Sequence, residues 1–268
     1  MVNSLRILAI LLVAAGASAR ETTLVTGATG KTGALVYNSL RSRHADVRAL
    51  VRNRDKARDL LHCTRCDESE GIHIADVTQP EAEAFGAAFR GVSTVVILSA
   101  SYPVKMPNGT YTYPPGGFPV DVDYHGGVNI VRTSCKAGVA RVILVSSMGT
   151  TQPDSFLDRL GNGHALFFKT QAELAVMSAS PHLNYTIVKP SGLVDEVGGQ
   201  SELLVGRRDE LARTGKMRVP RADVAAVVVA AVELRERSGG LWFDLSSDAD
   251  GKPTADFGAL FDRVREVV

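Results

Sequence analysis

The stretch Val25-Thr26-Gly27-Ala28-Thr29-Gly30-Lys31-Thr32-Gly33 spaces three glycines three residues apart, between a short apolar run and a helix candidate. That order suits a diphosphate. Gly27 permits a sharp strand-to-helix turn, Gly30 lets the backbone approach a ligand, and Gly33 allows close helix–sheet packing. The first helical turn then presents free N–H groups and a positive dipole end to an anion. Thr29, Lys31 and Thr32 lie in the same loop and join the candidate set. With strand, turn and helix in this sequence the motif predicts a dinucleotide site, although a purely structural turn draws on the same glycines.

The kind of dinucleotide is set near the end of the second strand, where an NAD site needs a carboxylate for the ribose diol. Here the chain reads Val51-Arg52-Asn53-Arg54, and Asp46 precedes the strand, at the wrong end of the sheet. Cations without an acid suit a 2′-phosphate, which a guanidinium grips with two parallel donors. Arg52 is the first candidate, with Lys31 or Arg54 assisting; solvated loop charges are the bland alternative. Asp76 and Val77, after the third strand, fall beside the adenine, and Ser99 ends the fourth. NADP(H) is the expected cofactor, and no metal is expected.

These residues need a sheet to bring them together. Short apolar runs at 23–26, 47–51, 72–75, 94–99, 141–146 and 185–189 alternate with helical stretches at 33–42, 80–89, 124–137 and 169–177. Continuous apolar strands separated by amphipathic helices indicate an α/β fold: a doubly wound parallel sheet (Rossmann fold) with ligands at the carboxyl ends of its strands. Residues 101–120, rich in Pro, Gly and Tyr without strand or helix period, form a lid candidate. From about 196 to 268 the pattern is more irregular and is expected to contribute a substrate-side region. It includes 203–205, a helix over 222–234, a strand over 241–245 and a final helix over 254–267. Asp223, in the first turn of its helix, reads as a cap.

The 268 residues carry a formal charge of +1, which gives no bulk attraction to nucleic acid or anionic membrane. Residues 1–19 look like a signal peptide: Arg6, an apolar run over 7–15, and Ala17-Ser18-Ala19 as a cleavage pattern. The run is too short to span a bilayer. Residues 20–268 then form one nucleotide-binding domain. The secretory pathway follows as the expected destination, with a plastid as the alternative. Cys63-Thr64-Arg65-Cys66 lacks the second ligand pair of a structural zinc site; loop cysteines, free or bridged, a redox pair and a metal site all stay open. Asn108-Gly109-Thr110 and Asn184-Tyr185-Thr186 match the glycosylation pattern, the second leading into a buried-looking strand.

The stretches 25–33, Val142–Gly149, Leu160–Gly163, Lys169–Glu173, Tyr185–Leu193, Glu202–Gly206 and Val219–Val224 together resemble the atypical, extended branch of the short-chain dehydrogenase/reductase superfamily, of the NmrA-like NAD(P)-binding kind. The resemblance covers nearly all of the chain beyond the leading segment. It implies a catalytic Ser near the end of the fifth strand and a Tyr-x-x-x-Lys pair on the next helix. Ser146 and Ser147 match the Ser region, with Ser147 the candidate, and Lys169 matches the Lys, which in the family bonds the nicotinamide ribose. The Tyr position falls on Ala165. Pro190, Gly192 and Leu193 match the segment lining the nicotinamide.

A positioned general acid contributes roughly 10²- to 10⁴-fold. Without the Tyr, reduction of an ordinary ketone is disfavoured, whereas a quinone or flavin, whose reduced anion is delocalised, suffers less. His164, Tyr102, Tyr111 and Tyr113 are alternative proton donors. Two functions follow: an NADPH-dependent oxidoreductase of a small acceptor (quinone, flavin or carbonyl), or a non-catalytic NADP sensor or assembly factor acting on a protein partner. Retained Lys169 favours the first and Ala165 the second.

Overall fold

The computed structural model describes residues 21–152 and 154–266, so the leading segment proposed as a signal peptide lies outside the described residues. Strands and helices alternate: β1 (Thr22–Thr26), α1 (Lys31–Ser42), β2 (Val47–Val51), α2 (Arg54–Leu61), β3 (Ile72–Ile74), α3 (Glu83–Ala88) and β4 (Val92–Ile97). A two-residue hairpin, β5 (Val104–Lys105) and β6 (Tyr111–Thr112), precedes a π-helical segment (Val120–Gly126) that runs into α4 (Gly127–Lys136). Then come β7 (Arg141–Val145), α5 (Ala165–Ser178), β8 (Asn184–Pro190), β9 (Gly192–Val194), β10 (Glu202–Gly206) and β11 (Arg218–Pro220). The chain closes with α6 (Arg221–Glu233), α7 (Arg235–Ser238), β12 (Leu241–Asp248) and α8 (Phe257–Glu266).

The main sheet has eight strands in the order β10-β12-β8-β7-β4-β1-β2-β3, parallel except where β10 meets β12. This is the doubly wound α/β arrangement the alternating pattern predicts. From β1 the chain moves to β2 on one side and later to β4 on the other, so the switch point opens between β1 and β4.

Both faces of the sheet are buried, which explains the unbroken apolar runs. Along β1, β4, β7 and β8, successive residues point to opposite sides. Leu24, Val95, Val142 and Ile187 pack with α3, α4 and α5 residues such as Phe85, Ile130 and Val176. Val25, Val96, Ile143 and Val188 pack with α1 and α6 residues such as Val36, Val227 and Val228. Among the described residues, no helix is long and apolar enough to cross a membrane.

The sequence reading needs three corrections. It passed over α2, because Arg54–Leu61 buries only Ala57 and Leu61 and is otherwise charged. Residues 101–120 are not without strands, since they hold the β5–β6 hairpin. Asp223 does not cap α6: its Oδ1 accepts the amide of Gly199 at 2.6 Å, tying a preceding loop to the helix start. Burial raises the Asp223 carboxyl above its ordinary range, against that one hydrogen bond. Cys63 and Cys66 form a disulfide, one of the alternatives open for these loop cysteines. That bridge lies in the α2–β3 connection, where the carboxylate of Glu70 accepts the amides of Thr64, Arg65 and Cys66.

Candidate functional site

The glycine loop shows why side chains are excluded from it. Gly27 has φ +64°, and a Cβ there would lie 2.6 Å from the backbone nitrogen of Ser99 at the end of β4. A Cβ on Gly33 would lie 2.2 Å from the carbonyl oxygen of Gly27. Gly33 is therefore pressed against the turn itself. The amide of Gly30 donates to the carbonyl of Gly27 at 2.8 Å and closes the turn. Gly30 then precedes α1 in extended conformation, with no side-chain cap and no acid in the helix's first turn. The opening amides stay available to an anion, so the loop fits a diphosphate.

Two chambers meet along this loop. The first, about 290 Å³, is bordered by Gly27, Thr29, Gly30, Arg52, Asp76, Val77 and Ser99. Arg52 Nη1 stands 3.7 Å from Asp76 Oδ2. Asp76 is fixed through its other oxygen, which accepts the amide and hydroxyl of Thr78, both at 2.9 Å. Asn53 and Lys56 also border this chamber, and the sequence reading missed both. Asn53 accepts the Lys56 amide at 2.8 Å and caps α2. An Asn ahead of a charged stretch with i,i+4 apolar spacing was the available signal.

The second chamber, about 380 Å³, shares Gly30 and Tyr102 with the first. It gathers Lys31, Thr32, Gly33, Ser147, Lys169, Pro190, Gly192 and Leu193, with Ala165 beside Lys169. Lys169 Nζ donates to Asp123 Oδ1 at 2.6 Å. Asp123 sits on the π-helical segment with its side chain 2 % exposed, and its second oxygen accepts the Ser101 amide at 3.1 Å and the Ser101 hydroxyl. π-Helical bulges often mark functional positions. Ser146 donates to Glu173 Oε1, whereas Ser147 donates to the Met148 carbonyl at 2.8 Å.

The alternative proton donors separate. Tyr102 borders both chambers and Tyr113 the second. Burial raises the Tyr113 phenol, helped by the negative charges of Asp123 and Asp158. His164 and Tyr111 border neither chamber; His164 Nδ1 instead lies 3.0 Å from the buried Asp158. At the mouth, Lys31 donates to Asp195 Oδ2 and Arg221 to Asp195 Oδ1, so one carboxylate joins the glycine loop to α6.

A family model described as NAD(P)H-binding matches residues 27–234, which takes in both chambers. The chain belongs to that NAD(P)H-binding family. Sanguinarine reductase of Eschscholzia californica is 33% identical over 279 residues, covering 93% of this chain and 98% of that protein. An uncharacterized chloroplastic protein of Arabidopsis thaliana is 34% identical over 255 residues, covering 91% and 75%. A solved structure from Bacillus halodurans, of the NAD-dependent epimerase/dehydratase kind, superposes with TM-score 0.68 at 24% identity, covering 91% and 99%, a likeness of fold. The NAD(P)H-binding protein thus takes its place in the atypical short-chain dehydrogenase/reductase group, and it is reductase-like.

Beneath the cleft this NAD(P)H-binding protein holds a buried charge cluster that the sequence reading did not find. Lys189 Nζ lies 3.7 Å from both Asp209 Oδ1 and Asp244 Oδ1, and 4.6 Å over the Trp242 ring. Burial pushes the Asp244 carboxyl up to about 6, partly opposed by Lys189. Burial acts the same way on Asp209 but is outweighed by the Thr151 hydroxyl and the amides of Gly149 and Thr151, which hold it low. Asp209 so fixes the loop that follows β7 and carries Ser146 and Ser147.

Proposed function

We propose that this chain is an NADPH-dependent reductase of a small conjugated acceptor of quinone or flavin type. The observation that carries the reading is the pair of joined chambers, one ending on Arg52 and the other on Lys169. A family member that bound only the adenosine half would have little need of a lysine in the second chamber. Held by buried Asp123, Lys169 is oriented to bond the nicotinamide ribose, the role its family position implies. Arg52, with Asn53 and Lys56 beside it and no carboxylate at the end of β2, supports preference for the 2′-phosphate. Bound there, the dinucleotide supplies a hydride; the chain supplies position and exclusion of water.

Tyr102, Tyr113, Met148, Leu157 and Met217 give the second chamber an apolar, partly aromatic wall suited to a flat conjugated ring. The absent Tyr at Ala165 agrees with that, because a delocalised reduced anion needs only a weak acid. Residues 101–120 serve as the lid. The relative named sanguinarine reductase makes its named compound a reasonable member of an acceptor panel. The chloroplastic designation of the Arabidopsis relative supports the plastid as compartment over the secretory route.

The test is oxidation of NADPH by the purified protein, followed at the nicotinamide absorbance band, against quinones, flavins, aldehydes and sanguinarine. Acceleration by a conjugated acceptor is expected. If none speeds oxidation while NADPH still binds, the non-catalytic sensor reading takes over. Its support is Ala165 together with a Lys169 already paired by Asp123.

A further inference from the structure

The proposed reaction leaves one question open: with alanine at position 165, what protonates the reduced acceptor under a closed lid? A buried polar line leads away from the second chamber. Ser146, at its border and 6 % exposed, donates to Glu173 Oε1 on α5. Glu173 is 3 % exposed, and its other oxygen accepts Trp242 Nε1 at 2.9 Å. Among the described residues Glu173 forms no ion pair within 4.0 Å. On its far side Glu173 borders a separate open groove of about 430 Å³, together with Thr170, Tyr185, Arg207 and Trp242. One carboxyl group therefore stands in the wall between the catalytic cleft and bulk water.

We infer that Glu173 relays protons from that outer groove to the acceptor through the hydroxyl of Ser146. This rests on the reductase reading above. The acceptor gains a hydride, with its electron pair, from NADPH, and a proton from Ser146 Oγ. Ser146 Oγ recovers a proton from the Glu173 carboxylic acid, whose Oε1–H then donates to Ser146 Oγ in the reverse of the bond the carboxylate accepts, and the Glu173 carboxylate is reprotonated by water in the groove. Charge balances: NADPH leaves as NADP⁺, and one proton is taken from solvent. Ser146 is the residue in contact with the acceptor; Glu173 acts through it. A plain structural role, in which Glu173 only pins Ser146 and Trp242, would use the same hydrogen bonds but not the groove.

The charged and titratable groups around Glu173 are Lys169 on its own helix, Asp123 paired to that lysine, Tyr185 on β8, Arg207 at the groove and Lys189 across the Trp242 ring.

The experiment uses the full protein, Glu173→Gln and Ser146→Ala, with menadione as acceptor and circular dichroism as the check on folding. In turnover, both variants should lose kcat by up to roughly 10²-fold, the low end for a positioned acid because the reduced quinone anion is delocalised, with NADPH affinity by calorimetry unchanged. The solvent deuterium effect on kcat should grow in Glu173→Gln, because protonation by water then limits turnover. The relay is overturned if the kcat and pH profile of Glu173→Gln match the wild type. It is also overturned if kcat falls while the pH midpoint stays put. A wild type whose NADPH oxidation is accelerated by none of the acceptors, menadione included, sinks the reductase reading itself, which these variants do not touch.

Discussion

Lys169 Nζ lies 2.6 Å from Asp123 Oδ1, 46 residues earlier in the chain, and the aspartate side chain is only 2 % exposed. Truncating the lysine alone strands a buried carboxylate, which typically costs about 3–5 kcal/mol. Lys169→Ala is therefore expected to lose stability in that range by urea denaturation. Adding Asp123→Asn should recover a good part of it, while NADPH affinity stays weak in both. If the double variant is no more stable than the single one, the ion pair is not what the lysine contributes.

Arg52 makes no contact closer than 3.7 Å to Asp76, so its guanidinium is free to turn to a ligand. A lost charge-assisted contact is worth about 1.5–3 kcal/mol, or roughly 10- to 100-fold. Arg52→Ala should weaken NADPH by that factor and barely change NADH. Calorimetric titration of both nucleotides decides it; equal losses would show that the arginine does not read the 2′-phosphate.

Gly33→Ala places a methyl 2.2 Å from the Gly27 carbonyl, a backbone atom that cannot yield without opening the turn. Binding of either nucleotide should drop below detection, with a stability loss of about 1–3 kcal/mol from the forced shift. Gly91→Ala is the contrast. Unlike Gly33, Gly91 has a positive φ, +69°, yet a Cβ there meets nothing within 4 Å, so the variant should cost stability without affecting nucleotide binding.

The Asp244 carboxyl, pushed up to about 6, holds its proton more tightly in the folded chain than in the unfolded one. Its stabilising contribution is therefore complete below about pH 4 and is lost as pH rises through about 6. Asp244→Asn removes the titration. Measured by denaturant melts, the variant should gain on the wild type by on the order of 1–2 kcal/mol between pH 4 and 7.5. A difference that does not vary with pH would mean that Asp244 is already ionised throughout.

What was legible follows from the range of each interaction. The glycine turn and the strands β1, β2, β3, β4, β7 and β8 are local patterns: a turn between strand and helix, and unbroken apolar runs. They could be read off consecutive residues. Asp123 and Glu173 could not, because each matters through a partner far along the chain, Lys169 in one case and Trp242 in the other. The same holds for Lys189, whose two aspartates come from different elements. α2 escaped for the opposite reason. Its signal is local but weak, an Asn cap and two buried residues on an otherwise charged turn. Asp223 shows a rule applied in the right place with the wrong partner: it does lie in the first turn of α6, yet it serves Gly199.

The carboxylate of Asp195, shared between Lys31 and Arg221, bears on which solutes gain entry. Both cations are already satisfied, and the Lys31 link is largely exposed to water, where such links add little to stability. A monovalent ion such as chloride offers those cations nothing better than what they hold. A polyanion that also engaged the helix amides would compete with the carboxylate for both cations. Selectivity for multiply charged solutes at this threshold then needs no moving part beyond the swing of one short side chain.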